Sequence, residues 1–327
     1  MGIEILILLA GFGLLLGGGD ALVRGASAFA KKMGISPLVV GMTVVAFGTS
    51  APELAINTMA AIRKSSTISF GNIVGSNIAN IGLILGISAL LKPLAIDSTV
   101  IKREIPMMLL ASLAAIIMGF DSIFRQAPNT YDLSDGLIFL LFFCVFLYYT
   151  ASDIFKPRQS DQLVTEVQEA TAATPFRDKT AWQIILIIGG LSALIGGGNL
   201  TVDAAVEIAT LIGIPEAVIG LTIIAVGTSL PELVTSLVAT WRGQTSLAIG
   251  NVVGSNIFNI LFILGTCSII TPVIIPQGGL TDLLVMGIFA LILLPFSITD
   301  KGRIMRWEGL FLVLSYLGYT AWLIIGR

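Results

Sequence analysis

Two short segments of the sequence carry the same acidic motif. GTSAPE occupies residues 48–53 and GTSLPE occupies residues 227–232, so the motif repeats at an offset of 179 residues. Each copy places a glutamate behind two hydroxyl side chains, inside a long apolar run. A carboxylate at membrane depth costs on the order of 2.5 to 3.5 kcal/mol and is functional by default. In such surroundings, a carboxylate can be neutralised by a cation or by a proton.

The proline in each motif predicts a break in the helix that carries it. Pro52 cannot donate a backbone hydrogen bond to the carbonyl of Gly48, and its ring pushes that carbonyl aside; Pro231 stands at the equivalent place in the second copy. A broken helix at membrane depth is tolerated only where the freed backbone groups find partners. In the first copy, one helical face presents Ala46, Thr49 and Glu53.

A second pair of motifs follows the first at the same offset. GNIVGSNIANIGLILG occupies residues 71–86 and GNVVGSNIFNILFILG occupies residues 250–265. Their glycines suit close helix packing. Serine and asparagine four residues apart share one helical face in each copy, as Ser76 with Asn80 and Ser255 with Asn259. Four further asparagines are interpreted as helix ties, with ion binding as the alternative: Asn72, Asn77, Asn251 and Asn256.

The composition places these motifs in a membrane protein. Of the 327 residues, 55% are hydrophobic and 12% are charged, which is too little polar surface for a soluble fold. The apolar runs predict an all-α integral membrane protein with ten transmembrane helices, called spans 1 to 10. They cover residues 3–30, 36–62, 67–91, 104–121, 133–152, 181–211, 215–241, 246–270, 280–298 and 306–325.

The chain is an internal duplication. Residues 34–86 align without a gap on residues 213–265, with 26 identities in 53 positions. Each copy contains five spans, so the two copies enter the membrane in opposite directions and form an inverted repeat. The sequence predicts a first five-helix repeat at 1–152, a cytoplasmic linker loop at 153–180 and a second, inverted five-helix repeat at 181–327. The broken helices of spans 2 and 7 should lie at the centre, and the two glutamates should face each other between the repeats.

The distribution of basic residues predicts the orientation. The loops after spans 1, 3, 5, 7 and 9 hold 13 Lys and Arg, and the opposite side holds 4. The positive-inside rule then predicts a multi-pass protein of the cell inner (plasma) membrane, with both termini outside the cytoplasm. Cys144 and Cys267 lie in apolar spans and are interpreted as packing residues.

The available oxygens favour particular ions. The chain has no histidine, and no Lys or Arg lies well inside spans 2, 3, 7 or 8. Two carboxylates with nearby hydroxyl, amide and freed carbonyl oxygens suit Ca²⁺, which takes six to eight hard oxygens at about 2.3 to 2.6 Å. Several Na⁺ ions could share the same oxygens, and competition between the ions would couple their transport. Mg²⁺ and transition metals fit this oxygen set less well.

These paired motifs resemble those of the sodium/calcium exchangers, in the cation/calcium antiporter superfamily, whose two alpha-repeats carry GTS-x-PE and GN-x-x-GSN. The resemblance covers 34–86 and 213–265 and the ten-span inverted architecture of the prokaryotic members. It also implies alternating access, with spans 1 and 6 sliding across the other eight. The ion ligands that it implies are the Ala46 and Ala225 carbonyls with Thr49, Ser50, Glu53, Ser76, Asn80, Thr228, Ser229, Glu232, Ser255 and Asn259. Asn259 stands where several relatives carry aspartate, which argues against a K⁺ requirement.

The sequence therefore predicts a secondary antiporter that exchanges Na⁺ for Ca²⁺ and functions as a monomer in the lipid bilayer, without cofactor or nucleic acid. An H⁺/Ca²⁺ antiporter of the same fold is the alternative. A passive cation channel is a further alternative, and counterflow would distinguish it. An intramembrane enzyme with Ser50 or Ser229 as nucleophile is disfavoured, because spans 2, 3, 7 and 8 offer no general base of the ordinary type.

Overall fold

The computed structural model describes residues 2–124, 126–154, 180–212 and 227–326, and most of these are helical. Helices of the first repeat are Gly2–Met33 (span 1), Pro37–Val40, Gly41–Val45, Ala46–Thr49 and Ala51–Ile62 (span 2), Ser66–Ala79, Asn80–Leu85 and Gly86–Leu91 (span 3), Val100–Glu104 and Ile105–Gly119 (span 4), the short Asp121–Phe124, and Leu133–Ile154 (span 5). Those of the second are Thr180–Leu211 (span 6), Leu230–Trp241 (span 7), Thr245–Ile257, Phe258–Leu264 and Gly265–Ile270 (span 8), Gly279–Gly302 (span 9) and Arg306–Gly326 (span 10).

Most of the predicted spans are long and apolar enough to cross a membrane. In the part of the chain that the structure describes, seven helices meet that condition, or eight if the two bent parts of span 2 count as one. Span 4 is shorter, with a five-residue and a fifteen-residue segment. Residues 213–226, which include the first part of the predicted span 7, lie outside the described residues, as does most of the predicted linker loop.

Two small strand pairs show how the repeats are arranged. Strands β1 (Leu94–Ala95) and β4 (Arg303–Ile304) pair antiparallel, joining the segment after span 3 to the segment after span 9. Strands β2 (Thr130–Tyr131) and β3 (Val273–Ile274) pair in the same way, joining the segments after spans 4 and 8. Span 4 runs from one pair to the other, so the pairs lie at opposite ends of the bundle. The equivalent segments after spans 3 and 8 therefore emerge at opposite ends, as the predicted inversion requires.

The repeats are also interlocked through close helix contacts. A Cβ added at Gly309 in span 10 would lie 2.7 Å from the carbonyl oxygen of Gly86 in span 3. The mirrored contact joins span 5 to span 8, where a Cβ at Gly136 would lie 2.7 Å from the carbonyl oxygen of Gly265. Each repeat thus packs its last helix against the third helix of the other repeat. Spans 3 and 8 are the most enclosed, with 78% and 94% of their apolar windows buried.

Spans 1 and 6 cross each other at two mirrored points. A Cβ at Gly18 would lie 2.8 Å from the Gly190 carbonyl oxygen, and one at Gly197 would lie 2.8 Å from the Gly11 carbonyl oxygen. Only glycine allows backbones to approach this closely. The offset of 179 residues relates Gly11 to Gly190 and Gly18 to Gly197, so the two crossing points are equivalent. Sliding of these spans stays a prediction.

An ionic contact ties span 1 to the end of span 7. Arg24 and Asp20 form an ion pair within span 1, with Nε and Oδ2 2.8 Å apart. Asp20 also contacts Arg242, the residue after Leu230–Trp241. The spacing of Asp20 and Arg24 indicates the first pair from sequence. The second contact depends on how the two helices pack and has no local sequence pattern.

Candidate functional site

The predicted break in span 2 is present at the first motif. The segments Pro37–Thr49 and Ala51–Ile62 meet at a bend of 46°. Between them, Ser50 has φ −83° and ψ 7°, a sparsely populated conformation in which many active-site residues are found. Pro52 lies in the first turn of the second segment, where its missing N–H is tolerated. The bend places Glu53 in the same first turn, directly beside the break.

Span 7 has the same local conformation. Ser229 has φ −90° and ψ 8°, within a few degrees of Ser50, and it precedes the helix Leu230–Trp241. Pro231 and Glu232 occupy the first turn of this helix. The two motifs therefore share this conformation at the serine and present their glutamates in the same way.

The two glutamates are buried and contact the opposite repeat. Each is 1% exposed. Ser50 Oγ donates to Glu232 Oε1 at 2.9 Å, and Ser229 Oγ donates to Glu53 Oε1 at 3.5 Å. The offset of 179 residues relates Ser50 to Ser229 and Glu53 to Glu232, so each bond is the equivalent of the other. Such reciprocal contacts are expected around a twofold axis. The predicted facing of the two motifs is thus observed.

Serines of spans 3 and 8 complete a chain of hydroxyl groups. Ser50 Oγ lies 3.0 Å from Ser255 Oγ, and Ser229 Oγ lies 3.3 Å from Ser76 Oγ. The four serines lie in or beside the helices of spans 2, 3, 7 and 8. Each glutamate is therefore joined, through one serine, to a second serine on a different span.

The threonines of the motifs contact asparagines across the repeats. Thr49 Oγ1 donates to Asn251 Oδ1 at 3.2 Å, and Asn72 Nδ2 donates to Thr228 Oγ1 at 3.3 Å. These asparagines tie helices together, as the sequence predicts for them. They also determine how each threonine hydroxyl is oriented, which the sequence does not indicate.

Several buried oxygens at the site around the two glutamates lack a hydrogen-bond donor among the described residues. They are Glu53 Oε2, Glu232 Oε2, Asn80 Oδ1 and Asn259 Oδ1. Asn80 donates its Nδ2 to Asn256 Oδ1 at 2.9 Å, so its oxygen is directed elsewhere. Buried acceptors without a donor are costly unless another partner satisfies them. A cation can be such a partner, because it is bound by acceptors alone.

The charge at the site is not balanced by a basic side chain. Among the residues that the structure describes, neither glutamate forms an ion pair with Lys or Arg. Two facing carboxylates without a basic neighbour require a mobile positive charge, whether a metal ion or a proton.

The structure places the predicted ligands as follows. Nine of the twelve predicted ligands each contact another member of the set. The serines and glutamates do so through the bonds above, the Ala46 carbonyl accepts from Thr49 Oγ1 at 3.4 Å, and Thr49 and Thr228 interact with the two glutamates. Asn80 and Asn259 are buried one turn beyond the serines of spans 3 and 8. Ala225 lies outside the described residues. The nine joined residues are Ala46, Thr49, Ser50, Glu53, Ser76, Thr228, Ser229, Glu232 and Ser255.

Two features of the site are absent from the sequence-based prediction. Asn80 begins a π-helical segment, Asn80–Leu85, and Asn259 lies in another, Phe258–Leu264. Such segments frequently occur at functional sites and have no simple sequence pattern. The second feature is the pair Asn57 and Ser236, which contact Asn72 and Asn251. When the alignment of the two repeats is followed four residues past the glutamates, asparagine at position 57 stands opposite serine at position 236.

This arrangement defines a polytopic membrane protein of two inverted repeats, with broken helices and a buried, all-oxygen acidic site between them. The sodium/calcium exchanger protein family matches residues 3–151 and 182–325, and the chain belongs to that family.

Relatives of known sequence and structure agree along nearly the whole chain. It is 38% identical over 321 residues to the putative antiporter CaxA of Alkalimonas amylolytica, covering 97% of each chain. It is 35% identical over 342 residues to the sodium/calcium exchanger MaX1 of Methanosarcina acetivorans, again covering 97% of each. The solved structure of the sodium-calcium exchanger NCX_Mj, soaked with Na⁺ and Sr²⁺, superimposes with a TM-score of 0.82 at 32% identity and covers 97% of each chain. The predicted all-α inverted-repeat fold is confirmed.

Proposed function

We propose that this protein is a secondary antiporter that exchanges Na⁺ for Ca²⁺ at the site between Glu53 and Glu232. The observation that carries the proposal is the pair of buried carboxylates from opposite repeats, each with one oxygen that has no donor among the residues that the structure describes. The relatives support it, because they are named sodium/calcium exchangers or antiporters.

The donor set matches the chemistry of a transported Ca²⁺. Two carboxylates neutralise its charge, and the hydroxyl, amide and carbonyl oxygens around them are the hard ligands that it takes. Na⁺ accepts the same types of oxygen but carries half the charge. Because both ions need the same two carboxylates, the site holds either Ca²⁺ or Na⁺. Competition for one ligand set is what couples their movements in opposite directions.

Alternating access requires the site to open to one side at a time. Ser50 and Ser229 each precede a helix whose first turn carries the glutamate, so the site lies where helices from opposite repeats begin. Inverted repeats support this motion, since exchanging the conformations of the two halves turns an opening on one side into an opening on the other. We propose that spans 1 and 6, packed together through glycines, move as a unit across the other spans.

The orientation in the membrane is also part of the proposal. The segments after spans 3 and 9 lie at one end of the bundle, and both belong to the predicted basic side. By the positive-inside rule this end faces the cytoplasm, which places both termini outside it. With Na⁺ entering down its gradient, the protein would export Ca²⁺ across the plasma membrane.

Reconstituted transport tests the function directly. Proteoliposomes loaded with Na⁺ and diluted into Na⁺-free medium containing ⁴⁵Ca²⁺ are expected to accumulate the isotope. Vesicles loaded with K⁺ or choline are expected to show none, because neither ion replaces Na⁺ at the site. A protonophore should leave the Na⁺-driven uptake unchanged.

Two other results would contradict Na⁺/Ca²⁺ exchange. Uptake that ignores Na⁺ and collapses with the protonophore would assign H⁺ as the counter-ion. Entry of ⁴⁵Ca²⁺ that is not accelerated by loading Na⁺ or Ca²⁺ inside would identify a passive channel.

A further inference from the structure

The two repeats differ at one position of the amide network around the glutamates. Asn57 and Ser236 occupy the same place, four residues after their respective glutamates. Both are fully buried. Asn57 Nδ2 donates to Asn72 Oδ1 at 2.7 Å, whereas Ser236 Oγ accepts from Asn251 Nδ2 at 3.0 Å. The first repeat therefore presents a donor to its neighbouring asparagine, and the second presents an acceptor.

Backbone carbonyls fix the orientation of the first amide pair. Asn57 Nδ2 also donates to the Glu53 carbonyl oxygen at 2.7 Å. A carbonyl can only accept, so the nitrogen of Asn57 must lie there. Asn72 then meets that nitrogen with its oxygen and turns its own nitrogen toward Thr228. The Thr228 oxygen accepts from Asn72, while Thr228 also interacts with the Glu53 carboxylate.

The second amide has the opposite orientation. Asn251 Nδ2 donates to the Glu232 carbonyl oxygen at 3.4 Å, so the oxygen of Asn251 faces Thr49. Within the part of the chain that the structure describes, Thr49 Oγ1 has only acceptors as its hydrogen-bond partners, Asn251 Oδ1 at 3.2 Å and the Ala46 carbonyl at 3.4 Å. A hydroxyl that donates its one hydrogen to such neighbours keeps both lone pairs for a cation.

We propose that Asn57 makes the two halves of the cation site unequal. It turns Asn72 so that the Thr228 hydroxyl receives a hydrogen bond and supports Glu53, and this leaves Thr49 as the stronger cation ligand. Ca²⁺ is therefore bound more closely by the Thr49 and Glu232 half. This inference deepens the proposed function and rests on it. Asn57 acts through other residues and is a positioning residue.

Reciprocal substitutions test the inference by equilibrium binding of ⁴⁵Ca²⁺ to the purified full-length protein in detergent. Asn57→Ser frees Asn72 to turn its oxygen toward Thr228, so the Thr228 lone pairs become available and the Kd for Ca²⁺ is expected to fall about fivefold. Ser236→Asn turns Asn251 so that Thr49 receives a hydrogen bond, and the Kd is expected to rise about fivefold. The double substitution should return the Kd close to that of the wild type.

A neighbouring residue provides the matched control. The Thr235 hydroxyl is buried beside Ser236 and has no hydrogen-bond partner within the described ranges. Thr235→Val alters a buried hydroxyl of the same helix that bonds to neither amide, and its Kd is expected to equal that of the wild type. A second measurement does not depend on either amide variant: Thr49→Val should weaken Ca²⁺ binding by about tenfold, and Thr228→Val by about threefold.

The outcomes separate this inference from the proposed function. Wild-type protein that binds no Ca²⁺ would contradict the proposed function itself. If the wild type binds Ca²⁺ but Asn57→Ser and Ser236→Asn shift the Kd in the same direction, the inequality of the two halves is refuted. Equal losses from Thr49→Val and Thr228→Val would refute it as well.

Discussion

Replacing either Glu53 or Glu232 by glutamine is expected to reduce Na⁺-driven ⁴⁵Ca²⁺ uptake by about 100-fold or more, which is about 2.7 kcal/mol. Both side chains are buried, and each is the carboxylate of its own repeat. The substitution keeps the shape and removes one of the two charges that neutralise Ca²⁺. At an effective dielectric constant near 20, the attraction between a divalent ion and one carboxylate is worth several kcal/mol. The measurement is initial uptake in proteoliposomes.

Thermal unfolding in detergent shows whether the charge serves binding or folding. Without Ca²⁺, the glutamine variants are expected to be as stable as the wild type or more so, because each variant buries one carboxylate fewer and neither carboxylate has a basic partner among the described residues. Adding Ca²⁺ should raise the unfolding temperature of the wild type but not of the variants, since only a ligand that binds the native state stabilises it.

A buried acid elsewhere serves as control. Glu308 is fully buried, but it accepts from Thr299 Oγ1 at 2.8 Å and from the Met305 backbone N–H at 2.7 Å. Glu308→Gln is expected to keep Ca²⁺ uptake and to lose some stability. Wild-type uptake by a Glu53→Gln or Glu232→Gln variant would remove that residue from the site.

Much of this arrangement can be predicted from the sequence because its main features are local. Pro52 and Pro231 break their helices regardless of what packs around them, and Glu53 and Glu232 follow within one residue. The duplication adds the expectation that the two copies meet. A repeated sequence does not indicate where the twofold axis that relates its two copies lies. The cross-contacts of Ser50 with Glu232 and of Ser229 with Glu53 depend on that axis and appear only in the structure.

Other features escape prediction because they depend on packing. The segments Asn80–Leu85 and Phe258–Leu264 are π-helical, although their sequences suit an ordinary helix. The pairing of span 3 with span 10, and of span 5 with span 8, follows from glycines that are far apart in the chain. A difference such as Asn57 against Ser236 is visible in the aligned repeats. Its meaning depends on which carbonyl each amide contacts.

The glycines of spans 1 and 6 give the second large expected effect. A Cβ added at Gly190 would lie 2.6 Å from the backbone nitrogen of Leu22 and 2.8 Å from the carbonyl oxygen of Gly18. At Gly189, the preceding residue, nothing lies within 4 Å of an added Cβ. Gly190→Ala is therefore expected to reduce Na⁺-driven ⁴⁵Ca²⁺ uptake by about tenfold or more, because overpacking against backbone costs about 1 to 3 kcal/mol.

Gly189→Ala is the matched control, with the same chemical change at the adjacent residue. Alanine is favoured over glycine inside a helix by about 1 kcal/mol, so this variant should unfold at an equal or higher temperature and keep its uptake. The second crossing repeats the comparison, with Gly197→Ala impaired and Gly196→Ala unimpaired, because only Gly197 faces the Gly11 carbonyl. Equal uptake in all four variants would show that close backbone contact between spans 1 and 6 is not needed for transport. Loss of uptake in Gly190→Ala and Gly197→Ala alone would show that transport depends on that contact. Helix propensity does not explain such a loss, because it predicts a more stable helix with alanine at all four positions.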